Sequence, residues 1–400
     1  MPSELGGVRL ERHLPGLDGV RGLAILGVML LHFVSDSTPQ NLLETLVVKA
    51  TGFGLLGVDL FFVLSGFLIT GLLLDAKPGP GYFRNFYARR TLRIFPLYYL
   101  VLALLFFVLP LATVLPPALE VARVKQAWLW SYTANYYVAA RGSWSSLGYV
   151  THFWSLAIEE QFYLAWPLVV FLSRRETLER ICGAVIVVGL GLRIALAVSG
   201  VSEISISVFT PCRVDTLCVG GLVATLVRRP AGPGPLVRRA GAAALGIAGA
   251  TLVVSVWCAA TKVGLPVLHQ VRSSLYALFF AALTLLSLRP EGVSARLFRN
   301  GALRTLGKYS YGLYVYHGLF SYFLTEQGAE ERLTAALGSH AAAMLARAVL
   351  GFGISFLVSW VSYELFERRF LALKRFFEVR PSTVALPRPV EASADPARPT

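Results

Sequence analysis

The sequence predicts an all-α polytopic membrane protein with about ten transmembrane helices and both termini cytoplasmic. Composition is the first reason. Of the 400 residues, 55% are hydrophobic and only 15% charged, and the mean hydropathy is +0.62. A soluble domain carries about 25% charge to cover its surface. The second reason is the pattern of apolar runs: ten stretches approach the ~20 residues that a helix needs to cross about 30 Å of hydrocarbon. The third is the placement of Lys and Arg. With the N-terminus inside, 27 of the 37 basic residues fall on inner segments, six on outer loops and four within spans. One missed span would destroy this positive-inside pattern. The net charge of +14 is therefore topology first, and no nucleic-acid partner is needed to explain it.

The elements follow in order. Residues 1–17 form a cytoplasmic N-terminal segment. The first span, near 18–35, resembles a signal-peptide core, but it runs on through His32-Phe33-Val34-Ser35-Asp36 with no small-residue cleavage site, so it is read as a retained helix. The next apolar runs lie near 52–74 and 93–115, the latter opening on Arg93-Ile94-Phe95-Pro96. The stretch 120–141 is aromatic and polar (Trp128, Trp130, Tyr132, Tyr136, Tyr137) and is expected at the headgroup level. Further spans are expected near 152–173, 181–199, 209–227, 241–261, 266–288, 304–324 and 342–364. The membrane domain thus covers 18–370. A cytoplasmic tail occupies 371–400, disordered from about 381, where five prolines fall in twenty residues. The four cysteines (Cys182, Cys212, Cys218, Cys258) all fall in spans without metal-ligand spacing, so they read as small apolar residues and no metal is expected.

Charge inside a bilayer costs a few kcal/mol or more, so the intramembrane ionisable residues are where function is sought. Arg21 and His32 are eleven residues apart, about 20° beyond three full turns, so they share one helix face with Asp18. The second span carries Asp59, the fourth the adjacent Glu159 and Glu160, the fifth Arg193, and the sixth Arg213 and Asp215. Because helices alternate in direction, these charges fall at similar outer-half depth. Mutual ion pairing is the plain explanation; six sites at one depth point instead to a polar chamber within the bundle. On the inner side, Arg90 and Arg93 at i, i+3 share a face, and a guanidinium fork suits phosphate. Tyr311, Tyr314 and His317 repeat along one face of the ninth span, as chamber lining or as an aromatic packing stripe.

These residues resemble the acyltransferase-3 family of integral membrane O-acyltransferases. The opening helix carries the family's pattern of a basic residue, ten residues, then His, here Arg21 and His32. The resemblance continues through Gly57–Thr70, Arg89–Tyr99, His152–Pro167, Arg213–Gly221 and Leu306–His317, and covers roughly residues 15–370. One departure is Glu367-Arg368-Arg369-Phe370, with Arg369 where the family often has Pro; it touches the last helix boundary rather than the chemistry. The resemblance implies ten transmembrane helices and location in the bacterial cytoplasmic (inner) membrane; some members carry a C-terminal esterase-like domain, and with about thirty residues after the last span a stand-alone form is expected here. It also implies transfer of an acyl group, often acetyl, from acyl-CoA to a hydroxyl, commonly of a surface polysaccharide, glycolipid or glycosylated metabolite.

Acyl transfer needs a base near the acceptor hydroxyl and a held donor. His32 is the expected base, since imidazole titrates near neutral pH. Glu160 or Asp59 would orient it, and the sequence leaves that choice open. Arg90 and Arg93, with Arg89 and Arg21, are expected to hold the CoA phosphates. His32 lies about 16 Å along the helix from Arg21, within reach of an extended cofactor arm. Trp154, Arg213, Asp215, Tyr311 and His317 are expected on the acceptor side. An acyl-histidine intermediate is the alternative to direct transfer. The rival from another class is a transporter or flippase for a polar or glycosylated substrate, since intramembrane charges also mark transport pathways; the lack of an evident repeat counts against it.

Overall fold

A computed structural model describes residues 14–261 and 265–377, and the described residues are helical with no strand. Twelve helices are labelled here: α1 Pro15–Leu30, α2 Leu42–Gly52, α3 Leu56–Ala76, α4 Tyr82–Ala103, α5 Phe153–Leu172, α6 Arg175–Val198, α7 Val214–Leu226, α8 Gly234–Thr261, α9 Leu265–Ser287, α10 Gly301–Glu326, α11 Ala329–Leu337 and α12 His340–Ser362. Among the described residues, eight helical segments are long and apolar enough to cross a membrane. Every expected span coincides with a helix, but two miss that measure. α7 has only 13 residues, because an irregular stretch with Pro211 precedes it. α10 has 26 residues but is diluted by Arg304, Lys308, five tyrosines and His317.

Helix α1 is the centre of the bundle, with Val20, Ile25 and Met29 fully buried. Pro15 starts it, where a missing N–H costs nothing. It packs between α3 and α10; α3 packs on α7, and α10 on α12, while α8 and α9 form a hairpin beside them. Glycine permits the α1–α10 crossing: a Cβ on Gly22 would stand 1.9 Å from the Leu303 carbonyl oxygen, and one on Gly307 1.9 Å from that of Asp18. α1 runs on into a π-helical turn, Leu31–Ser35, which holds His32. Such turns occur often at functional sites.

The 120–141 stretch forms short helices packed against the rest of the bundle, with Leu129, Ala134 and Asn135 fully buried. Its backbone carbonyls anchor it there. Leu129 O accepts from the Tyr98 hydroxyl at 2.8 Å, Trp130 O from that of Tyr99 at 3.2 Å, and Tyr132 O from Gln161 at 2.8 Å. Beyond α12 the chain stays helical through Tyr363–Glu367 and Arg368–Ala372, as a segment with Arg369 in place of proline allows. Cys182, Cys212 and Cys218 are buried free thiols. The Cys258 side chain, most of the N-terminal segment and the tail from 378, including the expected disorder, lie outside the described residues.

Candidate active site

Two cavities lined by expected site residues lie back to back. The larger, about 560 Å³, is lined by His32, Asp36, Trp144, Tyr149, His152, Trp154 and Tyr314, among others. The smaller, about 90 Å³, is lined by Arg21, Arg90, Arg93, Ser65, Glu159, Tyr163 and Tyr311, among others. Val58 and Tyr314 line both, so they form the wall between them. The Tyr314 hydroxyl is fixed by donating to His152 O at 2.9 Å, with the Ser155 hydroxyl 2.5 Å away.

His32 stands at the larger cavity. Its Nδ1 is 2.9 Å from Val28 O, the carbonyl one turn back. A carbonyl only accepts, so Nδ1 carries the proton and Nε2 keeps a lone pair. The His317 ring meets His32 edge-on at 4.8 Å between centroids, and His152 meets His317 at 5.1 Å. His317 Nδ1 lies 2.8 Å from Tyr314 O, while its buried Nε2 has no hydrogen-bond partner. His152, which falls inside the expected fourth-span motif, is a third imidazole of this group that sequence reasoning did not assign. Its position depends on Gly318, where a Cβ would come within 2.3 Å of its Nδ1.

The smaller cavity gathers the arginines. Arg90 sits over the Tyr163 ring at 4.6 Å, and Arg21 lies 3.5 Å from Asp18. Arg93 and Arg90 interact electrostatically with Arg21, and Glu367 with Arg93. Arg89 does not line this cavity, but with Arg21, Arg90 and Arg93 it acts on Lys374, a cation that sequence reasoning missed. The two adjacent glutamates separate as their 100° offset requires. Glu159 faces the arginine cavity and accepts from the Ser65 hydroxyl. Glu160 does not line that cavity; it lies among Tyr98, Tyr99, Tyr132 and Tyr311, interacts electrostatically with Arg90, and its Oε1 has no hydrogen-bond partner. Tyr132 lies in the connecting segment, where burial pushes its phenol well above the usual range.

The expected chamber of charges at one depth resolves differently. Asp59 pairs with Arg213, whose guanidinium also lies over the Phe62 ring at 5.2 Å. Asp215 pairs with Arg193 at 2.8 Å, and Arg193 also donates to Ser274 at 2.6 Å. These buried pairs tie α3, α6, α7 and α9 together, and neither Arg213 nor Asp215 lines either cavity. The hydrogen bond of His32 thus goes to a backbone carbonyl rather than to Asp59 or Glu160. Asp59, tied to a guanidinium, is already satisfied, Glu160 lies among tyrosines away from the His32 cavity, and the turn after α1 aims Nδ1 back at Val28. Trp154 lines the His32 cavity, packed against Phe62 and Trp144. Tyr311 lies on the arginine side, donating to Ile94 O at 2.6 Å. Among the described residues, no group of three or more His, Cys, Asp or Glu side chains is arranged to hold a metal.

Residues 14–364 match the family described as acyltransferase domain, acyltransferase family 3. The chain belongs to that family. As a family member it is also similar to the O-acetyltransferases OatA of Staphylococcus aureus strains NCTC 8325 and COL, each 29% identical over 331 residues, 76% of this chain and 50% of the relative. The chain thus spans about half the length of the curated relatives it matches. No solved structure matches it.

Proposed function

We propose that this acyltransferase-3 protein moves an acyl group, acetyl in the first instance, from acyl-CoA to a hydroxyl of a carbohydrate-type acceptor in the bacterial cytoplasmic (inner) membrane. The observation that carries this reading is the pair of cavities: an arginine cluster at one end, a histidine with a free Nε2 at the other, and two side chains between them. Arg21, Arg90 and Arg93 suit the phosphates of CoA on the cytoplasmic side. At about 90 Å³ their cavity is below the ~300 Å³ of ordinary ligand sites, so the donor arm enters by displacing the Val58–Tyr314 wall. The His32 cavity falls within that range, and its mixture of tryptophan faces and polar groups suits a sugar.

In the proposed reaction, His32 Nε2 takes the proton of the acceptor hydroxyl while that oxygen attacks the thioester carbonyl. The new carbon–oxygen bond forms, the carbon–sulfur bond breaks, and the proton passes from His32 to the CoA sulfur. Val28 O stabilises the imidazolium through Nδ1–H, the part a carboxylate plays in a triad. The relatives' name, O-acetyltransferase, supports acetyl as the group. The test is turnover of radiolabelled acetyl-CoA by purified protein. His32→Ala is expected to abolish it while the protein still inserts and runs as a monodisperse species; undiminished turnover would remove His32 from the chemistry.

A further inference from the structure

The His32 turn is held from outside the cavity by a buried polar cluster between α2, α11 and α12. His340 places Nδ1 2.9 Å from Glu44 Oε2 and Nε2 2.9 Å from Glu330 Oε1. A neutral imidazole has one N–H, so serving both carboxylates takes the imidazolium. Glu330 Oε2 meets Arg347 at 3.2 Å and accepts from the Ser37 hydroxyl at 2.5 Å. Arg347, one of the most deeply buried side chains, then reaches the His32 backbone along two routes. One guanidinium nitrogen donates to Ser37, whose own N–H bonds Val34 O at 3.1 Å inside the π-helical turn. The other donates to Thr325 at 2.7 Å; Thr325 donates to Ser321 O at 3.0 Å, and the Ser321 hydroxyl to His32 O at 2.8 Å. Beside them, the Phe33 ring sits where a Cβ on Gly351 would be, 2.3 Å away.

We propose that His340 and Arg347 are positioning residues for His32, forming a clasp that fixes the catalytic turn against α10 and α12. The proposal rests on His32 being the base. Glu44 from α2 and Glu330 from α11 face the His340 imidazolium, and Glu330 also faces the Arg347 guanidinium of α12, while Asp36, just after the π-helical turn, interacts electrostatically with Arg347 and His32. Loss of the His340 proton leaves a lone pair against a carboxylate and loosens the link from α2 to α11. The clasp therefore holds at lower pH and opens as pH rises. Turnover therefore falls on the alkaline side.

The test is the pH profile of acetyl-CoA turnover in wild type, His340→Ala, Arg347→Lys and His32→Ala. His340→Ala is expected to lower kcat between about tenfold and a hundredfold at the optimum, the penalty of a misplaced group. Its KM for acetyl-CoA should be unchanged, and the falling alkaline limb should be absent. Arg347→Lys, which cannot serve Ser37 and Thr325 together, should lose kcat similarly. A general loss of folded protein would scale the whole profile without changing its shape. If His340→Ala keeps the wild-type kcat and alkaline limb while His32→Ala is dead, the clasp is refuted and the base assignment stands; an active His32→Ala refutes the base instead. Hydrogen exchange of residues 31–44, corrected for the intrinsic pH dependence, tests the clasp apart from activity. Protection should fall with pH in wild type and be low at every pH in His340→Ala; equal protection in the two proteins overturns the proposal.

Discussion

Gly22→Ala should be among the most damaging single-methyl changes in this protein. A Cβ there would stand 1.9 Å from Leu303 O, against the 3.4 Å at which ordinary contact begins, so α1 and α10 must separate by about 1.5 Å. The clashing atom is backbone, so no rotamer change relieves it. Both helices carry the site: Arg21 and His32 follow α1, and Tyr314 and His317 lie on α10. Overpacking of this kind costs about 1–3 kcal/mol. A displacement near 1 Å at a catalytic centre costs on the order of a hundredfold in rate. Gly183→Ala is the control, because nothing lies within 4 Å of its Cβ position. There the same substitution should be neutral, or stabilising by about 0.5–1 kcal/mol through helix propensity. Thermal unfolding in detergent and acetyl-CoA turnover, measured on both variants, decide it. Gly22→Ala with the melting temperature and kcat of wild type would refute the close-crossing argument.

Other predictions follow from the same geometry. Arg90→Ala with Arg93→Ala should raise KM for acetyl-CoA by tenfold or more; unchanged affinity would remove the arginines from donor binding. Asp59→Ala or Arg213→Ala alone should cost about 3–5 kcal/mol by orphaning a buried charge, and Asp59→Leu with Arg213→Met should recover much of that stability; equal loss in all three would show that the pair is not the source. Gly318→Ala should displace the His152 ring and lower turnover without changing acetyl-CoA affinity, which kinetics at saturating and limiting donor will separate.

Much of the site was legible along single helices. The Arg21–His32 spacing placed the two residues at the ends of one helix, and they now mark the two cavities. The i, i+3 arginines do line one cavity together. What single-helix geometry misled about was the set of charges at equal depth. Depth follows from helical rise, but Asp59 and Arg213 sit on α3 and α7, which cross tightly at Gly66 and Gly220, so these charges spend themselves on each other. His152 and Lys374 were missed because neither carries a motif spacing of its own; each acquires meaning only from helices far away in sequence. The Glu44–His340–Glu330–Arg347 clasp joins α2, α11 and α12, so no single segment carried a signal for it.

By itself, the sequence determined that this chain is an integral membrane protein built of apolar helices, and that one helix carries a cation at one end and an imidazole at the other. These are properties of composition and of the 3.6-residue period, which act along the chain. Only the tertiary structure decided which buried charges cancel in pairs, which face an open cavity, and what holds the His32 proton. Those outcomes depend on which helix is neighbour to which and how closely glycine lets them approach, so they are fixed by packing across the bundle rather than by any one segment.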